Sequence, residues 1–164
     1  MVFLYGFIFS AILGTTGHFL YKFFNNDSII GFLFSKNENL YQHLKLGFTP
    51  ILLWMIVEKF VLINNDNLIT INGIGFLSFF LVISLPYFIV NKFLHKNIPY
   101  INISSFYFAL ITHYFLTFLL YNSIFLSKFV NFIGISSFIL VISSYFLQNF
   151  SVKKRSDVIH QWYG

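Results

Sequence analysis

The sequence predicts an all-α integral membrane bundle of five transmembrane helices, with a short interfacial segment before the second. Three observations carry that reading. Five apolar runs, at about 2–24, 46–63, 73–94, 101–122 and 129–150, take up most of the 164 residues. Charged residues make up 9% of the chain. A soluble domain carries about 25%, so a soluble fold of this length would lack the polar surface to cover itself. The lysines and arginine, finally, collect at alternate ends of the runs.

A hydrocarbon core about 30 Å thick takes roughly 20 helical residues at 1.5 Å each, and all five runs reach or nearly reach that length. The first run has no basic stretch before it and no small-residue cleavage site, and further runs follow. It therefore reads as a retained helix rather than a signal peptide. Its Gly14 and Gly17 suit a close approach by a neighbouring helix.

The connection to the second run is the most irregular part of the chain. Asn25-Asn26-Asp27-Ser28 is a turn signal. Residues 29–34 are mostly apolar and far too short to span, so they are expected to dip into the interface or pack under the bundle. Ser35 with Glu38 three residues on fits a capping box. It predicts an interfacial helix over 37–45 that bends into the second span, with a kink near 46–50 where Gly47 and Pro50 fall. Pro86 predicts a kink in the third span. The serine pairs of the last two runs suit helix packing and bonds to backbone carbonyls. Residues 1–164 form one domain, and 151–164 a short cytoplasmic tail.

Counting basic residues by side gives Lys22, Lys36, Lys45, Lys92, Lys96, Lys153, Lys154 and Arg155 against Lys59 and Lys128. The positive-inside rule then puts the protein in the cell membrane as a multi-pass chain, N-terminus outside and C-terminus in the cytoplasm. Lys153, Lys154 and Arg155 read as a topology anchor on anionic lipid. The net charge of +5 is no nucleic-acid signal, because the charges sit at helix ends.

Few polar side chains remain to carry function. His18, Tyr21, Asn37, Glu38, His43 and Lys45 fall on the cytoplasmic side and are expected to form a polar cluster. Glu58 and His113 each lie about 12 residues into an outward-running span, about 18 Å deep. Ionisable groups at such depth face the protein interior or a water-filled cavity, so the two are expected to form a buried polar pair.

His18, Glu38 and His43 are the candidate metal ligands, since imidazole and carboxylate suit zinc or iron. The spacing gives them no support, because Glu38 and His43 stand about 140° apart around one helix. No Cys is present, which excludes disulfides and a thiolate nucleophile or ligand. There is no Gly-x-Ser-x-Gly and no phosphate-binding glycine loop. The residues thus favour a non-enzymatic binding or accessory membrane subunit without a cofactor. Its partner is the lipid bilayer, with another membrane protein or a second copy of the chain as further candidates. A membrane-embedded His/Glu metal-dependent hydrolase and a small transporter or channel component are the alternatives.

The first two spans also carry a pattern. His18-Phe19-Leu20-Tyr21, then Asn37-Glu38, His43-Leu44-Lys45, Pro50 and Glu58, resembles an uncharacterised family of small bacterial multi-pass membrane proteins, a domain of unknown function. The likeness covers roughly residues 14–60, with Tyr163-Gly164 near the end. The chain departs from the family pattern at Lys22, where an acid stands after the Tyr, at Tyr41 in place of Trp, and at Gln42 in place of a second Glu. Losing two carboxylates weakens a metal or acid–base chemistry. The resemblance implies that His18, Asn37, Glu38, His43, Lys45 and Glu58 matter together, and it implies no activity.

Overall fold

In the computed structural model, residues 1–25, 27–34, 40–62, 67–94, 99–121 and 128–162 are described, and all regular structure among them is α-helical. In chain order the helices are α1 (Val2–Phe23), α2 (Ser28–Leu33), α3 (Leu40–Val61), α4 (Leu68–Leu94), α5 (Pro99–Tyr121) and α6 (Lys128–Trp162). Three of them contain stretches long and apolar enough to cross a membrane: Leu68–Val90, Tyr100–Tyr121 and Lys128–Leu147. Val2–Gly17 is a shorter apolar stretch. α6 runs on without a break through the tail to Trp162.

α4 is the central element. It packs against α5, α6 and α3, while α1 lies across α3 and α5. The sequence explains the position. Gly73 of α4 faces Gly134 of α6 with so little room that a Cβ on Gly73 would stand 1.9 Å from the Gly134 carbonyl oxygen. Two backbones can meet this closely only where neither carries a side chain. On the other side, Gly47 of α3 receives the ring of Phe79, and Phe48 stacks edge-on against Phe76 at 5.4 Å between ring centres. Phe48, Phe76 and Phe79 are buried and form the middle of the core with Ile51, Ala109 and Leu110.

Both internal prolines sit inside continuous helices, Pro50 in α3 and Pro86 in α4. Pro50 has no N–H for the carbonyl of Leu46. That carbonyl faces α1, where a Cβ on Gly14 would stand 2.6 Å from its oxygen. The missing hydrogen bond and the missing side chain therefore meet at one α1–α3 contact. α3 itself begins at Leu40, so the second apolar run and the end of the interfacial segment form one helix.

Asn25 ends the α1 turn in the left-handed region, at φ 51°. Asparagine tolerates that conformation better than most residues. Asp27 then starts α2: its side chain accepts from the N–H groups of Ile29 and Ile30 at 2.8 and 3.1 Å.

The Gly73–Gly134 contact yields a direct test. Gly73→Val should destabilise the bundle by about 3 kcal/mol, since overpacking here meets backbone rather than a movable side chain. Thermal unfolding in detergent reads this, and an unchanged midpoint would show that α4 and α6 do not approach at Gly73.

Candidate functional site

A helix of six residues ends with carbonyls that have no partner inside it. In α2 the Ile30 carbonyl accepts the N–H of Phe34 at 2.8 Å, which leaves Gly31, Phe32 and Leu33. Each of the three receives a side-chain donor from another helix. Lys45 Nζ donates to the Gly31 carbonyl at 3.3 Å. Tyr145 Oη of α6 donates to the Phe32 carbonyl at 3.0 Å. Thr49 Oγ1 donates to the Leu33 carbonyl.

Lys45 and Thr49 are four residues apart on α3 and so share a face. Lys45 is 1% exposed, unusual for a cation, and it sits at the negative end of the α2 dipole. Its Nζ also stands 5.9 Å from the centre of the Tyr145 ring, within cation–π range. The Phe32 ring meets the Tyr145 ring edge-on at 5.5 Å. Thr49 Oγ1 and Tyr145 Oη lie 3.2 Å apart. Each hydroxyl has one proton and each is committed to a carbonyl, so this third contact competes with the other two.

His43 is half-buried on a different side of α3. It lines a small pocket with residues of α4 and α5, whereas the partners of Lys45 are on α2 and α6. Tyr21 is half-buried in the last turns of α1. Asn37 and Glu38 lie outside the described residues, as does the side chain of His18. Among the described residues, no group of three His, Cys, Asp or Glu stands close enough to hold a metal.

A second polar group lies near the end of α3 and the start of α4. Glu58 is 1% exposed, and its Oε2 accepts from Asn72 Nδ2 at 2.9 Å. Asn72 Nδ2 also donates to the Leu68 carbonyl at 3.2 Å, and Glu58 Oε1 has no hydrogen-bond partner. His113 is fully buried, and neither ring nitrogen has a hydrogen-bond partner, so no hydrogen bond joins it to Glu58. Its ring lies against Gly75, where a Cβ would stand 2.6 Å from Nδ1, and meets the Tyr114 ring edge-on at 4.8 Å. Tyr114 Oη and Ser10 Oγ are 2.7 Å apart and link α5 to α1.

Sequence reasoning missed Asn72, Thr49 and Tyr145. Asn72 carried one available signal, since it is the amide closest to the start of the third apolar run. Thr49 and Tyr145 carried none that separates them from the other threonines and tyrosines.

A family profile matches residues 2–164, so the chain belongs to the family of unknown function DUF6512. No curated protein and no solved structure matches it.

Two sets of variants test these contacts. Lys45→Met should cost about 1.5–3 kcal/mol and Tyr145→Phe about 1 kcal/mol, read by thermal unfolding in detergent. Because Thr49 and Tyr145 share a contact, Thr49→Val and Tyr145→Phe should combine non-additively, by at least about 0.5 kcal/mol. Strict additivity would separate the two hydroxyls. At the other end, Asn72→Leu removes the one donor that Glu58 has among the described residues and should cost about 1–3 kcal/mol. Glu58→Gln keeps an acceptor for Asn72 and should cost less; the reverse order would mean that Asn72 does not serve Glu58.

Proposed function

We propose that this DUF6512 member acts as a non-enzymatic binding or accessory subunit of the cell membrane. It crosses the bilayer five times, with the N-terminus outside and the C-terminus in the cytoplasm. The observation that carries the reading is how its buried polar groups are used. At one end Lys45, Thr49 and Tyr145 serve the carbonyls of α2. At the other, Asn72 serves Glu58. Between the two ends Phe48, Phe76 and Phe79 are 0–2% exposed and close the interior. A transporter or channel needs a continuous polar path, and these rings stand across it. Polar groups that mostly satisfy one another leave the outer surface as the working part, and that surface is largely apolar.

Five crossings are supported by length. α1 and α3 are 22 residues each, about 33 Å of helix, and they pack as neighbours of the three longer apolar stretches. The orientation rests on the lysine and arginine count.

Because the chain has no Cys, single cysteines report topology without background. Asn65→Cys should react with an impermeant maleimide in intact cells, and Lys36→Cys and Lys154→Cys only after permeabilisation. Labelling of positions 36 and 65 from the same side would mean that α3 does not cross. Native mass spectrometry from gentle detergent should return a complex with another membrane protein or with a second copy. A monomer that drives ion flux in liposomes would overturn the subunit reading in favour of transport.

A further inference from the structure

A buried carboxylate is normally paired with a cation or ringed by donors, because an isolated charge out of water is costly. Glu58 has neither. It is 1% exposed, and its one donor among the described residues is Asn72, itself 1% exposed, on Oε2. Oε1 has no hydrogen-bond partner. The helices around it bring no compensating charge. On α4, Asn72 is neutral. On α5, His113 sits against Gly75, one turn of α4 beyond Asn72, and neither of its ring nitrogens is bonded. The neighbouring Tyr114 hydroxyl lies 2.7 Å from Ser10 Oγ of α1. Elsewhere on α1, Tyr5 is more than half exposed, as is Met1 with the amino terminus. Lys59, next along α3, is exposed as well.

A ligand that neutralises this carboxyl has to fit the space around it. A metal ion needs several ligands and room for itself, and among the described residues no three His, Cys, Asp or Glu converge. The packing beside the site is tight. A Cβ on Gly6 of α1 would stand 2.6 Å from the Tyr114 ring and press on Trp54, which is one turn before Glu58 on α3. A proton needs neither room nor further ligands. Bound to Oε1, it makes the carboxyl neutral and leaves Oε2 as the carbonyl oxygen that accepts from Asn72. A bare charge is thereby exchanged for a bare hydroxyl, which costs far less. Water supplies the proton and takes it back.

We infer that Glu58 is a proton-binding site and that the bound proton holds α3 against α4. The neutral carboxyl fits the closed junction, and its hydrogen bond to Asn72 ties the two helices together. Once the proton leaves, the carboxylate draws water into the junction. The α3–α4 contact is the one that yields, because α4 packs more extensively on α5 and α6 than on α3. The bundle thus carries a response to pH in its own core. The site does not depend on the subunit reading, because it needs only the packed helices.

The test is infrared spectroscopy of the full chain in liposomes, with thermal unfolding in detergent across pH. The chain has five acidic residues, few enough to resolve one protonated carboxyl. At neutral pH the wild-type protein should show a carboxylic-acid C=O band. Glu58→Gln should remove it, and Asn72→Leu should move it to higher frequency by taking the donor from the carbonyl oxygen. Unfolding frees the carboxyl to give up its proton, as a free glutamate does above about pH 4.3. Raising the pH above that value should therefore lower the wild-type midpoint relative to Glu58→Gln, until the folded carboxyl itself ionises. His113 is common to both proteins and cancels in the difference. Leu68→Cys, 3% exposed and on the same face of α4 as Asn72, reports the junction. Its reaction with maleimide should rise with pH severalfold more in the wild-type background than in Glu58→Gln, a comparison that removes the thiol's own pH dependence. If Glu58→Gln fails to fold, the wild-type band and its shift in Asn72→Leu decide. No acid band at neutral pH, a band that neither variant changes, or a midpoint difference constant with pH overturns the proton site. An equal rise in cysteine labelling in both backgrounds overturns its hold on α3 and α4.

Discussion

The constraint on which the rest of the structure depends is the hydrogen bonding of a helix that ends inside an apolar bundle. Water cannot serve its last carbonyls there, and each one left bare costs on the order of 1–3 kcal/mol. α2 ends in three such groups, and Lys45, Tyr145 and Thr49 answer them one for one. The donors come from α3 and α6, which are far apart in sequence. A six-residue helix thus ties the first half of one long helix to the middle of another. The same arrangement makes the burial of Lys45 tolerable, because its charge sits against carbonyl dipoles and an aromatic face.

The packing around α4 follows a different rule. In an apolar bundle there is little hydrophobic gain in bringing helices together, so close contact decides which faces meet. Gly73 and Gly134 let two backbones touch, Gly47 makes room for Phe79, and Gly75 makes room for His113. Gly47 and Gly75 are each matched to a ring on the neighbouring helix, and Gly73 to backbone. The aromatic middle then separates the two polar ends. Lys45 and Glu58, thirteen residues apart on α3, are about 20 Å apart along the helix and serve different ends of the bundle.

Much of this was legible in the sequence, and the limits have physical causes. Apolar run length marked the long helices, since it is a property of one segment at a time. The turn at Asn25 and Asp27 and the shortness of 29–34 marked a separate non-spanning segment, but not that it would be the helix α2. Burial of Glu58 followed from the cost of a carboxyl in an apolar run. Its donor did not follow, because a partner is set by how two helices rotate against each other, and nothing local distinguishes Asn72 from His113 in that respect. Tyr145 shows the limit most clearly. In a chain with 10 Tyr and 25 Phe, one hydroxyl that reaches an α2 carbonyl looks like any other aromatic residue.

The two sides of α3 differ in how fully they are enclosed. His43 and Lys45 are two residues apart, about 200° around the helix, and so face opposite ways. Lys45 is enclosed, and its known contacts are internal. His43 is only half-buried and lines a small pocket with residues of α4 and α5. Groups already committed to the chain's own backbone stabilise the fold. Applied along the bundle, that distinction assigns the α2 clamp to architecture.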